Sequence, residues 1–432
     1  MKHLYKLILA LLILSLVLVS CGATPEEAAP ADEETTAEEA PAEEEEMAEE
    51  PMEVPEAINI GAVIPLTGPF AGGGAQVERG YQYGVEDINA AGGIYVAEYD
   101  AQIPINLIVM DDESNADNTV SALEAMYAND DVTAYLGGFG SNLHAAAAAI
   151  AEKNQVPYLG VAFAFYDIHQ QGYQYLFSPF WKSPEISTEV FEMLNALLPE
   201  GERPTRVAIL QEQSDWGIEL GGLWEAAAAD YGYEVVAYEE YAIGTADFTD
   251  IILRIQAADA QTVLALPIPP DGYTMFRQMG ELGFTPEFSF IIRAPDNTPG
   301  WVENLGAVGE FVTLGPGWHN SLDYEGVDAI NERHVEEIGI PALPQVGNAY
   351  AVIQILADAI ERAGSLDRAA IREALSATDL DTVAGHVTFN ADGTSSLSSP
   401  IVQIVGGAQV LVWPSEFATS DLVFPAPPFE ER

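Results

Sequence analysis

The sequence predicts an α/β fold in which parallel sheets with helices on both faces form two lobes around one cleft. Three observations lead there. Strand-like and helix-like segments alternate from Ile58 onward, the pattern of βα units rather than of hairpins. The units fall into two series, one before and one after about residue 180. The chain then returns late, through a Gly- and Trp-containing break (Gly309–Trp318), to further helices and strands. Ligands in such sheets bind outside the carboxyl ends of the strands.

Ile58–Ile64 is an apolar strand, broken by Pro65-Leu66-Thr67-Gly68-Pro69. Gly72-Gly73-Gly74 reads as a flexible loop, and Val77–Asn89 as a helix. Ile105–Met110 is the next strand. Asp111, Glu113, Asn115 and Asp117 alternate like a calcium loop, but Ala116 and Ala122 occupy its sixth and twelfth positions, so the cluster reads as a helix start and solvated turn. Asp131–Glu152 (DVTAYLGGFGSNLHAAAAAIAE) reads as a strand over Val132–Leu136, a glycine turn, and a helix from about Ser141. The Ala145–Ala149 run supports that helix, with Ser141 or Asn142 as its N-cap. Val156–Val161 is a strand, Ala162–Tyr166 a turn rich in aromatics, and Glu185–Leu198 a helix.

The second series begins with strand Arg206–Gln211, turn Gln213–Gly217 and helix Leu220–Tyr231. It continues with strand Glu234–Tyr241, helix Phe248–Ala257, strand Thr262–Leu266, helix Tyr273–Leu282 and strand Phe288–Ile292. Helices at Glu325–Ile338, Gly347–Ala363 and Asp367–Ala377 follow the break. Strands near Val387, at Ile401–Val405 and at Val410–Trp413 close the chain.

The front of the chain is of a different kind. Lys2 and Lys6 precede an apolar run, Leu7–Val19, so residues 1–20 read as a secretory signal, too short for a convincing membrane span. Leu18-Val19-Ser20-Cys21 resembles a bacterial lipobox, which would make Cys21, the only cysteine, the lipidated N-terminus and leave no internal disulfide. Gly22–Glu56 holds fifteen acids and no Lys or Arg. Such a segment cannot bury enough apolar surface to fold, so residues 21–56 read as a lipidated Cys and a disordered tether. Its random-coil span is roughly 30–35 Å. The protein is thus expected outside the cytoplasmic membrane, at the cell surface or in the periplasm, held to the membrane by lipid.

Setting the tether aside leaves 53 Asp and Glu against 13 Lys and Arg, a formal charge of about −40 on some 375 residues. That charge argues against nucleic acid and anionic lipid as partners. It fits a saline habitat, where acidic surfaces stay soluble.

The glycine turn before Ser141 is the first candidate site. A strand passing through glycines into a helix leaves backbone N–H groups pointing outward, and the helix dipole adds positive potential suited to a carboxylate. No Lys follows, so the turn is not a nucleotide P-loop. G-x-G-x-x-G fails after Gly72 and Gly74, which argues against a dinucleotide, and no other cofactor or metal is expected. G-x-S-x-G fails because residue 143 is Leu, no H-E-x-x-H occurs, and the six His are scattered, so no enzymatic signature supports catalysis.

INIGAVIPLTGPFAGGGAQVERGYQYGVEDINAAGGI (Ile58–Ile94) resembles the opening of type I solute-binding proteins of the branched-chain amino acid group, the extracytoplasmic receptors of ABC importers. The resemblance continues through YLGGFGSNLHAAAAAIAEKNQVPYLG, VAILQEQSDWGIELG and YAIGTADFTDIILRIQAADAQTVL, and reaches GNAYAVIQILADAIERAG and LSATDLDTVAGHVTFNADG. It spans roughly Ala57–Trp413. It implies two Rossmann-like lobes joined by a three-crossover hinge, lobe one at 57–179 plus 314–388 and lobe two at 180–313 plus 389–425. It also implies a monomer that hands a small amino-acid-like ligand to permease subunits.

The resemblance further implies a ligand set. The carboxylate would lie at the turn Gly140-Ser141-Asn142, and Ala162 and Ala164 would hold ammonium and carboxylate. Ala164 stands where a hydroxyl residue is common, so a bond is lost or left to backbone. Trp216 would be an aromatic lid and Trp318 an aromatic wall. Asp296, past strand Phe288–Ile292, would pair with the ammonium. Gly73 and Pro267–Pro270 stand where relatives carry aromatics, which implies a reshaped pocket and leaves amides, urea and small or aromatic acids open as ligands. A sensor feeding a signalling partner is a second reading of the same cleft.

Overall fold

The computed structural model describes residues 53–432. The expected signal, Cys21 and nearly all of the tether lie outside them. Among the described residues, twelve strands fall into two main sheets, and four more into two small hairpins.

The first sheet has five parallel strands in the order β4-β1-β5-β6-β7. They are β1 (Ile58–Ile64), β4 (Ile105–Asp111), β5 (Ala134–Leu136), β6 (Tyr158–Leu159) and β7 (Leu176–Phe177). A side hairpin, β2 (Ile94–Val96) with β3 (Ala101–Ile103), sits between β1 and β4 in sequence. β1 is apolar nearly throughout because helices cover both faces of a parallel sheet. Its helices are α1 (Ala71–Ala90), α2 (Ala116–Asn129) and α3 (Ser141–Asn154). The chain next enters α4 (Ser183–Leu197) and the second series.

The second sheet runs β16-β15-β12-β11-β10-β8-β9. β8 (Arg206–Glu212), β9 (Glu234–Tyr241), β10 (Thr262–Ala265), β11 (Phe288–Ile291) and β12 (Thr313–Leu314) are parallel; β15 (Ile401–Val405) and β16 (Ala408–Trp413) add an antiparallel edge. α5 (Asp215–Tyr231), α6 (Thr249–Ala257), α7 (Pro269–Leu282) and α8 (Thr298–Leu305) connect them. α9 (Val327–Ile338), α10 (Pro344–Ala363), α11 (Arg368–Ser376) and the hairpin of β13 (Asp379–Thr382) and β14 (Gly385–Thr388) precede β15.

α10 carries the chain back to the first sheet. Ala349, Val352, Ile353 and Leu356 share a core with Ile58, Ile60 and Val77. The helices touch closely: a Cβ at Gly84 would stand 2.8 Å from the Cβ of Ile353. In both sheets the strand order reverses beside one strand: β1 lies between β4 and β5, and β8 between β9 and β10. These are switch points, where the loops at the carboxyl ends diverge and leave a crevice.

Several local expectations are corrected. Gly72-Gly73-Gly74 is not a loop but the first turn of α1. Glycine disfavours helix by about 1 kcal/mol per residue, but packing overrides it: a Cβ at Gly73 would overlap the Phe139 ring, and one at Gly74 the Pro65 carbonyl. The N-cap of α3 is Gly140, with no side-chain cap, rather than Ser141 or Asn142. The strand expected over Val156–Val161 shrinks to two residues. Asn115 does cap α2, accepting from the N–H groups of Asp117 and Asn118.

Candidate ligand cleft

The carboxyl ends at the two switch points converge on three adjoining hollows. The central one, a water-sized space of about 20 Å³, is lined from the first sheet by Phe139, Gly140 and Ala162, and from the second by Trp216, Arg293 and Asp296. An outer one, about 290 Å³, takes in Ser141, Asn142, Phe70, Trp216 and Arg293. The third, about 180 Å³, runs from Gly72 and Gly73 to Tyr273, Arg293 and Asn297. Arg293 borders all three. Another hollow, about 440 Å³, involves Asn59, Asp131, Thr133 and Arg368, but it opens at the amino ends of β1 and β5, away from both switch points.

The first wall is the β5–α3 turn. Gly140 has φ 111° and ψ 126°, a conformation only glycine adopts readily. Its carbonyl accepts from the N–H groups of Leu143 and His144 and faces His144 Nδ1 at 2.8 Å. Among the described residues no acceptor meets the N–H of Ser141 or Asn142. The Ser141 hydroxyl is 2 % exposed and also has no partner. A buried hydroxyl with no protein partner, beside free amides at a helix start, leaves donors that an acceptor can satisfy.

The second wall is held by internal bonds. Ser214 caps α5 by accepting from Gly217 N–H at 3.0 Å. That fixes Trp216, whose indole N–H donates to Ser183 Oγ at 3.0 Å. Ser183 in turn gives both its hydroxyl and its N–H to the Ala164 carbonyl, each at 2.9 Å. Trp216 therefore offers the cleft a ring face, not a donor, and the Ala164 carbonyl is already doubly engaged.

Arg293 is the centre of a tight turn in which Ala294 N–H donates to the Ile292 carbonyl at 3.0 Å. Its φ of 76° and ψ of −59° are strained for a side chain of this size, at roughly 1–3 kcal/mol. The turn points a guanidinium that is 6 % exposed into the cleft. It sits 5.3 Å from the Trp216 ring centre and 5.8 Å from that of Phe70, so it touches aromatics of both walls. It pairs with Glu212 and donates to the Leu266 and Pro267 carbonyls. The other Glu212 oxygen accepts from Ser214 Oγ at 2.9 Å.

Asp296 is 7 % exposed. Burial pushes its carboxyl up to about 8, against the opposing effects of a Gln345 bond and the Arg293 charge. Gln345 Nε2 reaches it at 3.4 Å, and Gln345 Oε1 accepts from Asn348 at 3.0 Å.

Eight of the nine anticipated ligand positions thus border the hollows: Gly140, Ala162, Ala164, Trp216 and Asp296 the central one, Ser141 and Asn142 the outer one, Gly73 the third. Trp318 does not border any of the three. It is fully buried, donates to the Val383 carbonyl at 2.8 Å, and fills the slot left by Gly347. The space expected to open at Gly73 is taken by Phe139, which meets Phe70 edge-on at 6.2 Å between centres. Arg293, Glu212, Phe139 and Gln345 were not anticipated. A scarce Arg one residue past a buried strand was a usable signal for Arg293; Gln345 arrives on a returning helix and had none.

The profile of the family described as periplasmic binding protein matches residues 57–409. The chain belongs to that family. Its members are solute-binding proteins, not enzymes, and act outside the cytoplasm. The Leu/Ile/Val-binding protein homolog 7 of Brucella suis is 23 % identical over 390 residues, covering 85 % of this chain and 94 % of its own. Among solved structures, the fold matches LivJ, the branched-chain amino acid transporter substrate binding protein of Streptococcus pneumoniae in complex with isoleucine. That match has TM-score 0.72 and 20 % identity, over 85 % of this chain and 100 % of that one. It also matches a solute binding protein of an ABC transporter from R. palustris in complex with benzoate, at TM-score 0.72 and 15 % identity, over 86 % and 99 %. The type I periplasmic binding protein fold, α/β with largely parallel sheets, is thereby established for this chain.

Proposed function

We propose that the chain is the substrate-binding protein of an ABC importer, tethered to the membrane through Cys21, that captures a small amino-acid-like solute between its lobes. The lobes are taken as 57–179 plus 314–388 and 180–313 plus 389–425. The observation that carries the reading is a single hollow shared by the unpartnered Ser141 hydroxyl on one wall and the Trp216 ring on the other. A carboxylate at Ser141 satisfies the free donors of α3, and the indole covers the solute from the opposite side. Open and closed arrangements interconvert; a ligand touching both walls stabilises the closed one, which then docks on the permease. The name of the Brucella relative and the isoleucine in LivJ favour an amino acid. The benzoate in the R. palustris protein favours keeping small organic acids as a second reading, along with amides and urea.

A thermal-shift screen of amino acids, amides and small acids tests the reading, because a ligand bound only by the folded state raises the melting temperature. Calorimetry of Ser141→Ala against the ligand so found should give a loss on the order of tenfold or more. Unchanged affinity removes the carboxylate site at the α3 tip. Membrane release of a Cys21→Ser variant tests the anchor.

A further inference from the structure

We infer that His144 is the positioning residue of the β5–α3 turn: its Nδ1–H holds the Gly140 carbonyl and so sets the direction of the Ser141 amide. This role rests on the solute-binding reading above, yet His144 itself touches no solute.

The peptide joining Gly140 to Ser141 is one rigid plate whose C=O and N–H point in opposite directions. Whatever fixes the carbonyl therefore fixes the amide. The N–H groups of Leu143 and His144 reach that carbonyl at 3.2 and 3.3 Å, the long end of the range. His144 Nδ1 is nearest, at 2.8 Å. A carbonyl can only accept, so Nδ1 carries the proton. The plate on the other side of Gly140 is held as well, its N–H donating to the Ala162 carbonyl at 3.4 Å. Glycine at φ 111° has no side chain to limit its rotation, so these bonds decide where both plates lie.

The surroundings are shaped to the imidazole. His144 is fully buried. It stacks on Phe163 with ring centres 4.5 Å apart, and Phe163 stacks in turn on His169 at 5.6 Å. A Cβ at Gly137 would stand 2.5 Å from His144 Nε2, and one at Gly160 3.0 Å from its Cδ2, so two glycines leave room for this ring. Nε2 has no partner. A side chain kept for volume alone would not bury an unpaired nitrogen, so Nδ1 is what distinguishes His144 from an apolar filler. Burial, with Lys182 nearby, outweighs the Gly140 and Val161 carbonyls and holds the imidazole down to about 3, leaving it neutral. The Tyr158 ring, at 6.0 Å, is the other titratable group packed beside it.

Two variants separate the donor from the ring. His144→Phe keeps an aromatic on Phe163 but has no Nδ1. His144→Asn loses the ring but supplies an amide that can reach four residues back, as Asn129 and Asn304 do at 2.9 and 2.8 Å. The amide NMR signals of Ser141 and Asn142, recorded without solute, should move in His144→Phe and stay near the parent in His144→Asn. The melting temperature should show the reverse order, because deleting the ring leaves a cavity. Nitrogen NMR of the His144 ring should show Nδ1 protonated and Nε2 bare from pH 5 to 8. By calorimetry with L-isoleucine and benzoate, whichever probe binds the parent should bind His144→Phe about tenfold more weakly and His144→Asn within about threefold. If neither probe binds, or His144→Asn does not fold, the ring tautomer and the Ser141 amide in His144→Phe decide alone. Because both are read without solute, they stand apart from the solute-binding reading. An unmoved Ser141 amide in His144→Phe, a protonated Nε2, or affinity that falls in step with melting temperature in both variants overturns the role.

Discussion

The wall bearing Ser141 and the wall bearing Arg293 are built on opposite terms. At the first, glycine backbone and a bare helix start leave donors unmatched. At the second, Arg293, Glu212, Ser214, Trp216 and Ser183 satisfy one another almost completely. One wall leaves donors free; the other satisfies most of its polar groups internally. A change in the Arg293–Glu212 pair should therefore be felt first as lost stability, and a change at Ser141 as lost binding.

The contrast is sharpest for Arg293→Met. It leaves the Glu212 charge buried without its partner and should destabilise the fold by about 3–5 kcal/mol in urea titration. Adding Glu212→Gln should recover much of that. A loss below about 1 kcal/mol for the single change would contradict a wall fixed by that pair.

Gly73→Ala tests the junction of the walls. Its Cβ collides with Phe139, so a loss of about 1–3 kcal/mol is expected. Phe139→Leu should relieve part of it in the double variant. Trp318→Phe should remove about 1–3 kcal/mol through the unpaired Val383 carbonyl, yet leave ligand affinity unchanged. Altered affinity would return Trp318 to the cleft.

Asp296 gives the pH dependence. Folded, it keeps its proton to about pH 8; unfolded, it releases it near 4. The native state binds more protons between those limits. This contribution to stability is whole below pH 4 and is lost as pH rises to about 8, by at most about 1.4 kcal/mol per unit. Asp296→Asn should flatten that slope in denaturation curves taken across the range. Arg293 and Gln345 are the groups that face it and oppose the shift. Smallest of all, Ser141→Ala should change stability by less than about 0.5 kcal/mol, because no protein bond is broken. A large loss there would mean the hydroxyl is structural.

Much of the architecture was legible because parallel βα units leave strong periodic traces. Glu234–Tyr241 and Ile401–Val405 were read to the residue, and the returning helix within three. The triple glycine was misread because its helix is enforced by Phe139 and Pro65, distant in sequence. Ser141 and Trp216 could be found because each stands just past a strand at a helix start. Arg293 was not legible because the family resemblance points to an acid after β11, not to a base. Trp318 misled because an aromatic in a glycine-rich break can face either way, and the deciding neighbour, Gly347, lies on α10.

The tip of α3 presents a hydroxyl and two amides that no protein group answers, an awkward spot for solvent. A water molecule there can receive bonds through its oxygen yet must turn its own protons away from that tip. Water so confined gives up orientational freedom without full enthalpic return, and its release costs little. A solute that arrives with two oxygens and no protons to place would thus be helped by the solvent it evicts. Its capture should carry a favourable entropy and a negative heat-capacity change.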